Sequence, residues 1–291
     1  MRRRHYTEKS ISKLALWARR LALFSLAATF VAVIIVRSGA LDIVPALSTL
    51  AGALALACVA ILMAFGAGIG IWRDGSGGGR QAVTALIIGC ALIAYPVYLG
   101  IKAYHLPAIY DITTDPIDPP RFDAIARLRP RDANPIAYAG LYAAELQHAA
   151  YSDIEPDDTE ATPQEAYNAA MKVITKRRWR VVDARPPQGG FVPHAGQAAA
   201  AGDGIIEAVA RTPILGFRDD VVVRVRATVD GARIDVRSAS RYGRHDLGTN
   251  AKRVRNLIDD IDDVLSAPQK PAPAPTPAKP QPPAKGNHAK R

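Results

Sequence analysis

Six side chains have the types and the proximity to do chemistry: Asp219, Asp220, Arg241, His245, Asp246 and Arg253. Carboxylates beside a histidine suit general acid–base work, because an imidazole ordinarily titrates near neutral pH and a carboxylate can orient it. As a hydrolase or lyase, the chain would use the Asp219, Asp220, His245 and Asp246 region. The rest of the sequence weighs against catalysis. It contains no nucleophile elbow, no metal-ligand spacing and no phosphate-cradling loop. His105, His148 and His194 stand singly and suit surface or packed positions. No catalytic residue, no metal and no cofactor is therefore assigned, and the six residues stand as binding candidates.

The elements that must position these residues account for much of their polarity. Val221, Val223, Val225, Ala227 and Val229 alternate with Val222, Arg224, Arg226 and Thr228, the period of a strand. Asp230-Gly231 reads as a two-residue turn into a second strand. That turn places Arg226 opposite Asp235, Arg224 opposite Arg237 and Asp220 opposite Arg241. An opposite-charge pair across a sheet contributes about 0.2–1 kcal/mol, so Arg241→Ala should destabilise modestly. The stretch "RSASRYGRHDLGTN" (237–250) is then a corner between the last strand and the last helix. Thr249 or Asn250 caps the helix, and His245 has no evident partner.

The last helix spans about 249–265 and buries Val254, Leu257, Ile258, Ile261 and Leu265. Its charges oppose the helix dipole, with Lys252 and Arg253 near the start and Asp259, Asp260, Asp262 and Asp263 near the end. Upstream, Thr162, Pro163 and Glu165 spell a capping box. The helix they open carries Tyr167, Ala170, Met171 and Ile174 on one face. A further helix covers about 140–150, "WRVVDA" and "IIEAVART" are strands, and "YDITTDPIDPP" is an extended entry. Together these predict an α+β domain over 103–265, with an antiparallel sheet of about four strands packed against helices.

Residues 1–102 are of another kind. Residues 21–36, 43–71 and 82–101 carry no charged side chain. About 20 apolar residues cross a bilayer, so three transmembrane helices precede the α+β domain. A charged start before an apolar run also fits a signal peptide, but two further spans favour a retained anchor. Basic residues gather in the N-terminal tail and in the loop "RDGSGGGR", which places those segments in the cytoplasm. Three spans then put the main domain in the periplasm of a cell with an inner membrane. Ala60, Ala64 and Gly68 allow close helix packing. From residue 266 on, eight prolines among alanine and lysine predict a disordered tail.

Net charge narrows the partners. The whole chain is +10, but residues 1–102 hold +8, residues 103–265 hold −3 and residues 266–291 hold +5. A domain at −3 is not a polyanion-binding surface, so nucleic acid is excluded as a partner. Membrane lipid is the expected partner, together with an envelope protein or a second copy of the chain.

Four segments, "YDITTDPIDPP", "AYSDIEP", "ARTPILGFRDDVVVRVR" and "RIDVRSASRYGRHDLGTNAKRVR", together resemble a family known as domain of unknown function 1499. The matching positions include Phe217, Asp219, Asp220, Arg237, Ser238, Ser240, Arg241, Gly243, Asp246, Gly248, Asn250 and Arg253. The resemblance implies an exported or membrane-tethered domain and supplies no activity. The expectation is a membrane protein presenting a periplasmic binding or scaffolding domain. The alternatives are an accessory subunit of a cell-envelope membrane complex and the hydrolase or lyase above.

Overall fold

The computed structural model describes residues 10–188 and 202–267. The expected proline-rich tail lies outside these, apart from its first two residues. Three helices come first: α1 (Lys13–Ser38), α2 (Ile43–Asp74) and α3 (Gly79–His105). Each is long and apolar enough to cross a membrane, with mean hydropathy between 2.1 and 2.5. They pack through small side chains: Ala18, Ala22, Ala60, Ala64 and Ala85 are all buried. Gly89 lies so close to Ile61 that a Cβ there would sit 2.5 Å from its side chain. Ser25 donates its hydroxyl proton to the Ala53 carbonyl at 2.7 Å, satisfying a buried polar group inside the bundle. Ala60 and Ala64 thus serve internal packing, whereas Gly68 stays exposed.

The domain that follows is built on one antiparallel sheet. Its strands are β1 (Asp111–Thr113), β2 (Asp157–Thr159), β3 (Arg180–Arg185), β4 (Gly204–Arg211), β5 (Arg218–Ala227) and β6 (Ala232–Ser240). The order is β1-β6-β5-β4-β3, with β2 also pairing β6. The helices are α4 (Ala124–Leu128), α5 (Leu141–Ala150), α6 (Pro163–Lys176) and α7 (Thr249–Ser266). The sheet packed on helices agrees with the sequence reading, although β1, β2 and α4 were not anticipated. Each is five residues or shorter, too short for a periodic signal. The Thr162–Glu165 capping box is present at the start of α6.

Helices α6 and α7 cover one face of the sheet around Val221, Val223, Val225, Ile234 and Val236. The opposite face is covered too. Phe122, Ile125, Val209, Val222 and Ala239 form a second small core beneath the segment 111–140. This second face carries most of the charged residues of β5 and β6; Asp220, Arg224, Asp235 and Arg237 are buried there, while Arg218 at the strand end is exposed.

The β5–β6 register differs from the expected one by two residues. The ladder runs to Ala227 opposite Ala232, and beyond it the Thr228 amide donates to the Gly231 carbonyl at 3.0 Å, leaving Val229 and Asp230 as the turn. Gly231 has φ +154°, and a Cβ there would lie 2.2 Å from the Thr159 carbonyl oxygen. Thr159 of β2 therefore lies against Gly231, and the two-residue turn falls one position earlier than expected, on Val229-Asp230. Arg224 faces Asp235, not Arg237, and Arg226 faces Arg233, not Asp235. Asp220 faces Ala239, not Arg241. A slip of two preserves the face of every side chain. Long arginines consequently reach the expected carboxylates on the diagonal: Arg226 lies 2.8 Å from Asp235.

Two contacts join the domain to the bundle. Arg37, in the last turn of α1, donates to the carbonyls of Pro213 and Ile214 at 2.5 and 3.2 Å. His245 Nε2 lies 3.2 and 3.0 Å from the carbonyls of Ala103 and Leu106, at the end of α3.

Candidate functional site

Adjacent strand residues point to opposite faces, and this divides the six candidates. Asp219 lies on the α7 face and Asp220 on the other. The two carboxylates therefore serve separate networks with the sheet between them.

On the α7 face, Arg253 bridges the helix and the sheet. Its guanidinium pairs with Asp219 and donates to Ser238 Oγ at 2.9 Å and to Asn250 Oδ1. Asn250 Oδ1 also accepts from Ser238 Oγ at 2.8 Å, and its amide donates to Ser240 Oγ and the Tyr110 carbonyl, both at 2.9 Å. The fully buried Asn250 thus satisfies both of its side-chain groups. Asp246 caps α7: its carboxylate accepts from the amides of Gly248 and Asn250 at 2.8 and 2.7 Å. This corrects the expected cap at Thr249 or Asn250: the N-cap residue is Gly248, and Asp246 reaches from two residues before it to satisfy two N–H groups that have no partner within the helix. Burial pushes the Asp246 pKa upward, opposed by those two amides.

His245 is also partnered, contrary to expectation. Its Nδ1 accepts from the Leu247 amide at 2.9 Å. Nε2 must then carry the proton that it shares with the Ala103 and Leu106 carbonyls. The imidazole is a strut between the corner and α3.

On the opposite face, Asp220 is fully buried between two guanidinium groups. Arg241 Nε and Nη2 donate to its Oδ1 at 2.9 and 2.7 Å. Arg129 Nε lies 2.8 Å from its Oδ2, close but off the hydrogen-bonding direction. Burial raises the Asp220 pKa, and Arg241 and then Arg129 draw it back down. The expected Asp220–Arg241 pair is therefore real, but it is an interior ion pair rather than a surface one. Arg237 repeats the design. It grips Asp111 with Nε and Nη2 at 3.0 and 2.7 Å and donates to the carbonyls of Pro120 and Ile136. Its guanidinium also stacks over Phe122 and Tyr138. Glu207, with no exposed surface, accepts from the amides of Asp123, Ala124 and Ile125 at 2.8–2.9 Å. These buried charges hold segment 111–140, whose own apolar content is modest, onto the sheet.

The sequence reading missed Arg129, Glu207 and Asn134, which donates its amide protons to the Ser240 and Gly243 carbonyls at 2.9 and 2.8 Å. No local pattern marks them, since each acts across a sequence separation of 80 residues or more. Among the described residues, no three histidine, cysteine, aspartate or glutamate side chains assemble as a metal-binding group.

The corner and the strands before it are also where the family signature falls. A family model described as "Protein of unknown function (DUF1499)" matches residues 111–261, just over half of the chain. The chain belongs to this family. No curated protein and no solved structure matches it closely enough to add a likeness of its own. The DUF1499 match begins at β1 and ends in α7, so it spans the whole sheet but not the three apolar helices. Both buried networks lie inside the DUF1499 region, while the struts at Arg37 and Ala103 reach outside it.

Proposed function

We propose that this DUF1499 protein is an integral membrane protein of the cell envelope and presents its domain as a binding or scaffolding module. In this reading the N-terminus is cytoplasmic, the helices cross an inner membrane, and the domain stands in the periplasm. The observation that carries it is the use already made of the candidate residues. Asp219, Asp220, Arg241, Asp246 and Arg253 are each bonded to another part of the fold, and the sheet separates them into two sets. Such groups build a rigid platform rather than a reaction centre with a free acid and base. The basic N-terminal tail and second loop support the orientation. An alkaline phosphatase fusion after Leu265 tests the side of the membrane: activity is expected, and activity of a cytoplasmic reporter at that position would reverse the reading. A mild-detergent pull-down of the full chain with mass spectrometry then tests the binding role. A reproducible envelope protein or lipid is expected, and its absence would count against a scaffold.

A further inference from the structure

Three arginines stand side by side across the end of the sheet nearest the bundle. Arg211 on β4 is paired directly with Arg218 on β5. The Arg241 amide donates to the Arg218 carbonyl at 3.2 Å, which continues the row beyond the end of β6. All three lie on the second face, with Arg129 behind them. Like charges directly opposite one another destabilise a sheet. The one carboxylate buried among them, Asp220, is already taken by Arg241 and Arg129. Among the described residues, the side chains of Arg211 and Arg218 have neither a hydrogen-bond nor an ion-pair partner.

The row meets the bundle at a recess of about 220 Å³, bordered by Arg37, Gly39, Leu41, Arg218, Arg241 and Tyr242. That is several times the roughly 30 Å³ that one water occupies in the liquid. Gly39 has φ +68° and caps α1, and a Cβ there would lie 3.7 Å from an Arg218 guanidinium nitrogen. Arg218 thus points at the turn where two apolar helices leave the hydrocarbon. Arg37 uses Nη1 alone on the Pro213 and Ile214 carbonyls, which carry no compensating charge. Exposed Asp42 and Asp132 on the rim offset part of this charge but bond to none of the arginines. Partial burial, then Arg211, Arg241 and Arg180, push the Arg218 pKa below its ordinary value.

We propose that this recess binds the phosphate of an anionic phospholipid headgroup, with Arg218 and Arg37 as the gripping residues. Charge calls for an anion, and guanidinium groups match phosphate geometry. Position selects a lipid over a free ion: Val36, Leu41 and Ile43 continue the recess into the apolar helix ends, at the level where headgroups flank the hydrocarbon core. The inference rests on the membrane-anchored binding role above and names its ligand class.

The test uses the full chain in mild detergent, with native mass spectrometry and thermal melting in the presence of phosphatidylglycerol, phosphatidylcholine or inorganic phosphate. Phosphatidylglycerol should stay bound and raise the melting temperature, and phosphatidylcholine should do neither. Arg218→Gln should weaken phosphatidylglycerol binding by about tenfold or more, the effect of losing a charge-assisted bond. Without lipid, the same variant should melt no lower than the natural chain, because it relieves a like-charge row. Arg211→Gln, further from Gly39, should show a smaller loss of binding. Equal retention of the two lipids, or undiminished binding by Arg218→Gln, would overturn the proposal. Inorganic phosphate matching the phosphatidylglycerol shift would assign the recess to a soluble anion and overturn the lipid assignment. The assay is blind to which side of a membrane the domain occupies, so its failure and a reversed topology are separate results.

Discussion

Removing the Arg241 guanidinium would leave the buried Asp220 carboxylate with Arg129 as its sole charged neighbour, in poor bonding alignment. Breaking one side of a buried ion pair typically costs about 3–5 kcal/mol, well above the 0.2–1 kcal/mol of an exposed cross-strand pair. Arg241→Ala should therefore destabilise the folded chain strongly in denaturant melts, and Asp220→Ala should do so comparably by leaving two buried guanidinium groups. The double variant should lose much less than the sum, because both changes break one contact. Additive losses would place the two side chains in independent sites. His245 makes a different residue-scale prediction. His245→Ala removes the acceptor of the Leu247 amide and the donor to two α3 carbonyls. The Leu247 amide should exchange with deuterium faster, and stability should drop by about 1 kcal/mol, the net worth of an ordinary hydrogen bond. Unchanged exchange at Leu247 would mean that the imidazole is not a strut.

Helix α7 carries its charges against its own dipole, and tertiary partners correct this unevenly. At its start, the Arg253 charge is matched by Asp219, and Asp246 supplies the negative cap. Near its end, Asp260 is matched by Arg177, the residue that follows α6. Asp262 has no such relief. Burial, the neighbouring Asp157 of β2, and then Asp259 and Asp263 raise its pKa from 3.8 to about 6. Asp157 is raised as well, by burial first. The folded chain therefore holds a proton on Asp262 that the unfolded chain releases between these two values. The contribution of Asp262 to stability is greatest below the lower value, falls as pH rises between the two, and is lost above about 6. Asp262→Asn should flatten this dependence and raise the melting temperature at neutral pH. Melts from about pH 4 to pH 8 check it, since that range brackets the ordinary carboxylate value and the raised one. A variant with the same slope as the natural chain would mean that the two carboxyls do not share a proton.

At the scale of the whole molecule, the domain touches the bundle through a few struts and not through a large apolar interface. The β4–β5 loop carries Gly216 at φ +69°, where a Cβ would lie 3.0 Å from the Arg37 side chain. Only a glycine in the left-handed region lets this loop approach α1 so closely. Gly216→Val should strain that loop and push it off Arg37. The expected result in the full chain is faster proteolysis at residues 212–217, with the sheet core still protected from hydrogen exchange. Loss of protection throughout the sheet would mean that docking on the bundle is needed for the domain to fold.

Three apolar runs, the capping box before α6, the amphipathic face of α7 and the strand-to-helix corner are all legible in the sequence, because each rests on local hydrophobic period or on a cap within a few residues. The polar corner is legible as well, but its meaning is not. Whether Asp219 and Asp220 share a site depends on which face each meets, and whether Asp220 is buried depends on segment 111–140 folding over it. That segment has little apolar periodicity and is held by Arg237, Glu207 and Arg129 across long stretches of chain. The register of β5 against β6 follows a turn on Val229-Asp230, one residue before the expected Asp230-Gly231, where β2 lies against Gly231. The arginine row exists only once that register is set and the β4–β5 loop has met the end of α1. Hydrophobic period is a property of neighbours in sequence, whereas burial of charge and the choice of its counter-ion belong to the tertiary structure.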